Sequence, residues 1–310
     1  VFLYLDLPVG QPDQKPEMYL SVGVRNTHSQ YRNRYIPPTL DPGLLRWLDD
    51  AIGDTPVPEV GFVWRGPLIG GEGGLRSIQL YLRTSDGHLK FQPDWPALEH
   101  LNAIITLDTG ELDANVLSGQ LGAARVEHAD VLVRHGKAEN SQLLLIDGDV
   151  SSDLGGAVDV LAQSPLRSRV AGLSGWTLSG ASSIRVDLAI PLTVSAGDGS
   201  YKVDTYIDHG LMAVPDSDIA FEQLQGVLRY RDGKGLFSDA IMGQFWGEPV
   251  VARLQTLKND LSVDLRGPLS MPVLGRFLKL PSDQVLTGTT EVQGNLLVPL
   301  EDMTLPLRLQ

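Results

Sequence analysis

Apolar and polar residues alternate one by one along much of this chain, and this pattern limits its fold more than any other feature. In residues 184–190, for example, Arg185 and Asp187 separate the apolar residues, and the same period recurs in residues 78–82 and 201–207. Successive side chains of an extended strand point to opposite faces, so the pattern predicts strands with one apolar and one polar face. The fold class that follows is mainly β, with an antiparallel sheet that is wetted on one side.

Glycine and aspartate punctuate these segments in the way that is typical of turns. We predict turns at Ser85-Asp86-Gly87, Asp147-Gly148-Asp149, Gly197-Asp198-Gly199 and Asp232-Gly233. Each of these signals interrupts an alternating run, as expected for strands joined by short connections.

Helix signals are few. The best covers residues 42–52, where Asp41 can cap the first turn, Pro42 suits the first helical position and Gly53 suits the end. We also predict short helices at 96–101, 156–163, 218–224 and 272–278. They are expected to plug or cap sheet edges rather than to form a layer of their own.

Two long segments of the chain repeat. Residues 89–105 match residues 211–228 at offsets of 122 to 123, with Pro-Asp and Leu/Phe-Glu-x-Leu in both copies. Residues 180–192 match residues 288–300 at a constant offset of 108. Chance similarity between β-rich segments is the alternative, but shared Pro-Asp and Pro-Leu pairs at matching spacing favour a true repeat.

The repeat predicts the domain organisation. A partial repeat covers residues 1–88 and contains the helix at 42–52, a repeat unit covers 89–210, and a truncated unit covers 211–310. Large repeats stack on their neighbours. Because the alternation continues to both ends of the chain, we expect it to be a fragment of a longer array.

Charge and composition exclude several classes of protein. The net charge of −13 repels nucleic-acid phosphate and anionic membrane surfaces, so no nucleic-acid partner is expected. The absence of cysteine excludes thiolate metal sites, disulfides and a cysteine nucleophile. No apolar run approaches the ~20 residues that span a bilayer.

Catalytic motifs are incomplete. Asp108-Thr109-Gly110 resembles the motif of aspartic proteases, but that chemistry needs two such carboxylates, and a hairpin turn is the better interpretation. The histidines lack the spacing of a metal site, and Gly70–Gly74 lacks the Lys-Ser/Thr of a phosphate loop. We therefore expect no catalytic residue, no metal ligand, no cofactor and no enzymatic activity.

Several strings occur together that are fairly specific. They are Arg34-Tyr35-Ile36-Pro37-Pro38, Val63-Trp64-Arg65-Gly66-Pro67-Leu68, Pro93-Asp94-Trp95-Pro96, Ser164-Pro165-Leu166 and Phe245-Trp246-Gly247. In this combination the chain resembles the central region of the large YhdP proteins of the AsmA-like family, to which TamB also belongs. The resemblance covers most of the chain.

The resemblance implies an elongated, curled antiparallel β-sheet groove, the fold called a β-taco. It implies a periplasmic protein that is held in the inner membrane by an N-terminal helix outside this chain. The implied function is conduction of phospholipid between the inner and outer membranes, with acyl chains as the ligand. The family offers no catalytic motif to carry over.

An apolar sheet face must be covered by something, either a second sheet or a ligand. The first hypothesis is a lipid groove lined by Ile78, Leu80, Leu82, Ile184, Val186, Leu188, Ile190, Val203, Ile207, Val292, Leu296 and Val298. Periodicity alone does not distinguish such a groove from the core of a closed sandwich. The alternative function is a non-catalytic envelope scaffold that binds other envelope proteins, and a β-rich hydrolase around Asp108 is a remote third.

Overall fold

The computed structural model describes twelve stretches of the chain. They are residues 1–7, 16–34, 42–67, 77–108, 111–136, 141–173, 175–192, 199–215, 219–258, 260–277, 287–299 and 308–309.

Sixteen strands occur in the described residues. They are β1 (Phe2–Asp6), β2 (Glu17–His28), β3 (Pro56–Pro67), β4 (Ser77–Leu89), β5 (Leu98–Asp108), β6 (Glu111–Leu121), β7 (Ala124–His135), β8 (Gln142–Asp153), β9 (Thr177–Pro191), β10 (Ser200–Ala213), β11 (Ala220–Arg231), β12 (Gly235–Phe245), β13 (Glu248–Leu257), β14 (Asp260–Ser270), β15 (Thr289–Pro299) and β16 (Arg308–Leu309).

Helices are short and few in the same stretches. They are α1 (Pro42–Ala51), α2 (Leu154–Ala162), α3 (Arg167–Val170) and α4 (Met271–Phe277), with 3-10 helices at Ser29–Arg34 and Ala171–Leu173. The helices expected at 42–52, 156–163 and 272–278 are confirmed, with shifts of one or two residues at their ends. Asp41, the expected cap of α1, lies outside the described residues.

The strands pair in chain order, from β1 to β16, and each pair with a described register is antiparallel. Among the described strands β1 and β16 have one neighbour each, so the sheet is open rather than closed on itself. The predicted fold class, a mainly β antiparallel sheet with a few short helices, is confirmed.

The chain divides into two compact units. Unit 1 comprises residues 1–148 and 187–199, and unit 2 comprises residues 149–186 and 200–310. The chain therefore leaves unit 1 within β8 and returns to it within β9. The repeat boundaries after residues 88 and 210 remain a prediction.

In unit 1, hydrogen bonds join the end of α1 to the end of β4. The Ser29 hydroxyl donates to the Gly53 carbonyl at 2.7 Å and accepts from the Thr55 amide at 3.0 Å, and the Thr55 hydroxyl accepts from the His88 amide at 3.0 Å. Ser29, Thr55 and Ala51 are buried, so these bonds satisfy polar groups that would otherwise be costly to bury. The buried part of unit 1 therefore begins at these strand ends.

In unit 2, Asp153 holds the start of α2. Its carboxylate accepts from the Gly155 amide at 2.9 Å and from the Gly180 amide of β9 at 2.8 Å. One side chain thus caps the helix and fixes it to the next strand. Farther along unit 2, the buried Phe221 ring stacks on Phe245 at 4.9 Å.

Two of the predicted helices are wrong. Residues 98–101 and 220–224 lie in β5 and β11, and the chain takes a left-handed conformation at His100 (φ 52°) and Gln223 (φ 51°). The register shifts there, as at a β-bulge, so Leu98 and Leu101 are shielded while the two residues between them are exposed. An apolar spacing of three residues therefore imitates a helix.

Two of the predicted turns are also wrong. Ser85-Asp86-Gly87 lies inside β4 at a register shift with Asp86 at φ 50°, and Asp147-Gly148-Asp149 lies inside β8. A Cβ atom on Gly148 would come within 2.9 Å of the Ala129 Cβ, so glycine permits a close approach of strands there. The turn at Asp232-Gly233 is confirmed, and residues 197 and 198 lie outside the described residues.

The order of elements recurs along the chain. Six strands with α2 after the fifth, β4 to β9, are followed by six strands with α4 after the fifth, β10 to β15. Left-handed residues recur as well, with Asp86 matched by His209 and His100 matched by Gln223. The bulges are thus features of the repeating architecture rather than local accidents.

Candidate functional site

One face of the sheet in unit 1 is continuously apolar across six strands. The register places two rows of side chains there: Val24, Val60, Leu82, Ile105, Ala114 and Val131 in one row, and Val22, Phe62, Leu80, Leu107, Leu112 and Val133 in the next. We call these two rows the apolar face of unit 1. No charged or hydroxyl side chain interrupts either row.

The burial of this face changes along the strands. In the adjoining row, which lies nearer α1, Thr84, Ala103, Val116 and Ala129 are between 1 and 8% exposed. Both rows of the apolar face are only half-buried. The unit's own side chains therefore seal one end of the face and leave apolar surface in contact with solvent beyond it.

The opposite face of the same strands is mostly polar. Directly between the apolar residues of β4 and β5 lie Gln79, Arg83, Thr106 and Asp108, all exposed. Asp108 accepts a hydrogen bond from the Gln79 amide at 3.0 Å. The strong contrast between the faces favours a function that uses the apolar side.

Unit 2 has a corresponding face with some polar members. Its rows contain Leu254, Val263 and Leu296, then Thr256, Leu261 and Val298, and on the neighbouring strands Val203, Tyr230 and Leu236. The Thr256 hydroxyl donates to the Leu236 carbonyl at 2.9 Å, so this polar group has a hydrogen-bond partner within the protein.

The structure places the predicted groove residues as follows. Ile78, Leu80 and Leu82 lie on β4 in unit 1, where their partners on β3 are Trp64, Phe62 and Val60. Val203, Ile207, Leu296 and Val298 lie in unit 2, as does Val292, which pairs with Gly267 and is 38% exposed. Ile184, Val186, Leu188 and Ile190 are half-buried on β9, where Arg185 and Asp187 are exposed. Their role as groove lining stays a prediction.

Sequence reasoning missed more than half of the apolar face of unit 1. Its members on β2 and β3, Val22, Val24, Val60 and Phe62, show the same alternation as the predicted groove residues. The signal was present in each strand. What the sequence lacked was the register that brings these strands beside Leu80 and Leu82.

The described residues hold little that resembles catalytic or metal chemistry. Among them no three His, Cys, Asp or Glu side chains lie close enough to hold a metal ion. Asp108 is exposed, and its hairpin is closed by pairing with Glu111. Thr109 and Gly110, the remainder of its motif, lie outside the described residues.

A histidine–carboxylate pair marks the bulges of β4 and β5. His100 Nδ1 lies 2.6 Å from an Asp86 carboxylate oxygen, and both side chains are exposed. The hydrogen bond that His100 donates to Asp86, followed by the negative charges of Asp86 and Glu99, raises the pKa of His100 above its ordinary value. The pair links the bulge of β4 at Asp86 to the bulge of β5 at His100.

Comparison with known protein families decides the identity of the chain. The YhdP protein family matches residues 4–310. The chain belongs to the YhdP family. The resemblance drawn from the Trp-Arg-Gly-Pro-Leu and Pro-Asp-Trp-Pro strings is thereby confirmed, and membership of YhdP makes this an AsmA-like envelope protein. No curated protein and no solved structure matches the chain. Among the described helices of this YhdP chain, none is long and apolar enough to cross a bilayer.

Proposed function

We propose that this YhdP chain holds phospholipid acyl chains on its apolar sheet faces and conducts them through the periplasm between the inner and outer membranes. The full-length protein is tethered to the inner membrane outside the present chain. The function is non-catalytic, because the lipid is moved and not chemically changed.

The energetic need for such a surface is large. Each methylene that leaves an apolar environment costs about 0.8 kcal/mol, so a chain of ~16 carbons exposed to water costs on the order of 10 kcal/mol. Aliphatic rows that remain half-buried can lower this cost without any specific contact. A site of this kind needs no polar motif, which fits the sequence.

The observation that carries the proposal is the half-buried apolar face of unit 1. Phe62, Leu80 and Leu107 are consecutive members of one row, and each keeps part of its surface open. In an ordinary protein core such residues are covered by a second layer. In this unit the row that contains Ala103 is fully covered, whereas the two rows of the apolar face are not.

Photo-crosslinkable phospholipid tests the proposal. Leu80→Glu places a charge in the middle of the apolar face of unit 1, whereas Gln79→Glu places the same charge one residue away on the polar face. We expect Leu80→Glu to lose most lipid capture in this unit and Gln79→Glu to retain it. Circular dichroism confirms that each variant remains folded.

A milder variant separates loss of binding from loss of fold. Leu80→Ala keeps the strand and removes part of the apolar surface, so capture should fall by less than in Leu80→Glu. Equal capture by folded Leu80→Glu, Leu80→Ala and Gln79→Glu would contradict the proposal. Recovery of envelope proteins without lipid would favour the scaffold instead.

A further inference from the structure

A second candidate site lies on the polar face of unit 1, opposite the apolar one. It is an open depression of about 780 Å³ that spans β2 to β6. The register pairs Gly23 with Gly61, and Gly61 with Tyr81, so two glycines and one aromatic ring follow one another across three strands. Its lining also includes residues of the apolar face, among them Val22, Phe62 and Leu80, which alternate with the polar-face residues along the same strands. Strand alternation turns their side chains to the other side of the sheet, so only their backbone borders the depression.

The floor of the depression exists because the two glycines have no side chains. A Cβ atom added to Gly23 would meet no atom within 4 Å, and one added to Gly61 would meet only the Tyr81 Cβ at an ordinary 3.7 Å. Neither glycine has a left-handed φ, so neither is required by the backbone. Their effect is to uncover a strip of sheet beside the half-buried Tyr81 ring.

The polar groups around the floor are largely matched with one another. On one side the Gln79 amide donates to Asp108 at 3.0 Å, and on the other Arg25 lies opposite Glu59 in the register. Asp113, at the far end, is paired with Arg134. Arg25 is the one cation of the lining, beside the carboxylates of Glu59, Asp108 and Asp113. The lining therefore carries a net negative charge, which disfavours an anionic ligand.

A flat aromatic ring beside paired amide and carboxylate groups suits one chemical class best. A sugar ring presents an apolar C–H face that can lie on an aromatic ring and vicinal hydroxyls that both donate and accept hydrogen bonds. Two strand spacings, about 10 Å, match the length of one or two such rings. We propose that the depression at Gly23, Gly61 and Tyr81 binds a neutral saccharide.

The site can be closed without disturbing the fold. Gly23→Val puts a side chain into the open space above the floor, and a β-branched residue suits a strand. Gly294→Val is the matched control, because a Cβ at Gly294 of β15 also meets nothing within 4 Å but lies in unit 2. Tyr81→Leu removes the aromatic ring, while Tyr81→Phe keeps it.

Saturation-transfer NMR on the 310-residue chain with cellobiose and with maltose measures binding, and inorganic phosphate and choline serve as charged probes. We expect transfer to the sugar-ring protons with affinity of about millimolar, and a loss of about tenfold or more in Gly23→Val and Tyr81→Leu. Gly294→Val and Tyr81→Phe should bind as the unaltered chain does.

Three results would overturn the inference: no transfer to either disaccharide, equal transfer in Gly23→Val, or stronger binding of phosphate or choline than of sugar. Lipid capture by Gly23→Val gives an independent readout. It should be unchanged, so failure of the saccharide site and failure of the lipid proposal are distinguishable.

Discussion

The apolar faces of the two units are built on the same repeat and differ in polarity. At equivalent positions unit 1 has Ala114 and Val133 where unit 2 has Ser238 and Thr256. The Ser238 hydroxyl donates to the Val227 carbonyl at 2.8 Å, and Thr256 both donates to and accepts from the backbone of Leu236. Unit 2 thus uses hydroxyls within its rows to bind neighbouring strands, whereas unit 1 leaves both rows apolar.

The same repeat therefore supports two kinds of sheet face. In unit 2 hydroxyls within the rows bind the backbone, and Phe221, Phe245 and Trp246 form an aromatic stack. In unit 1 the strands are fixed near the edge, by the hydrogen bonds at Ser29 and Thr55. Unit 1 can therefore keep the middle of its face apolar and open.

The largest expected effect tests the aromatic stack. Phe221→Ala empties a buried site against Phe245 and should lower the free energy of unfolding by about 3–5 kcal/mol. Leu98, the equivalent residue in unit 1, is half-buried, so Leu98→Ala should cost about 2 kcal/mol. Urea unfolding measures both variants. Equal losses of unfolding free energy would mean that the aromatic stack stabilises unit 2 no more than Leu98 stabilises unit 1.

The next effect tests the hydroxyls of unit 2. Thr256→Val removes both hydrogen bonds to Leu236 at nearly constant volume, and the free energy of unfolding should fall by about 1–3 kcal/mol. Val133→Thr, the reciprocal change in unit 1, breaks no existing hydrogen bond. If thermal or urea unfolding shows the same cost for both, the hydroxyl of Thr256 is not what stabilises its strands.

A smaller effect tests the link between polarity and lipid. Ala114→Ser places a hydroxyl in the apolar face of unit 1, at the position that Ser238 occupies in unit 2. Its desolvation should reduce photo-crosslinked lipid by about two- to fivefold, which corresponds to about 1 kcal/mol or less. Ser238→Ala should change lipid capture little, because that hydroxyl is already bonded to Val227. A larger loss of lipid capture in Ser238→Ala than in Ala114→Ser would contradict this link between polarity and lipid binding.

The smallest effect concerns the histidine–carboxylate pair that links the bulges of β4 and β5 in unit 1. Asp86 and His100 correspond to His209 and Gln223 in unit 2, where His209 instead lies 2.7 Å from the carboxylate of its neighbour Asp208. Since the carboxylate raises the pKa of His100, the pair stabilises the fold at pH below the ordinary histidine pKa and loses this effect as pH rises through the raised value. NMR titration should show the His100 pKa returning to its ordinary range in Asp86→Asn. An unchanged pKa in that variant would exclude Asp86 as the cause.

Strand alternation was enough to predict the fold class and the residues Ile78, Leu80 and Leu82 as one face, and the signals at Pro42 and Gly53 were enough to predict the helix at 42–52. It failed at the bulges, because an added residue with positive φ makes Leu98 and Leu101, or Phe221 and Leu224, look like neighbours on a helix. The turn prediction at Asp147–Asp149 failed for a different reason. Glycine is needed at residue 148 because two strands approach closely there, and the chain does not turn.

The sequence by itself determined that the chain forms strands with one apolar face, that these strands repeat, and that it belongs to YhdP. These properties depend on local periodicity and on strings of neighbouring residues. The tertiary structure alone decided which strands lie side by side, that Thr84 and Ala103 seal one end of the apolar face, and that Gly23 meets Gly61 beside Tyr81. The physical reason is that register is a relation between distant segments, and a shift of one residue would turn every side chain of a strand to the other face.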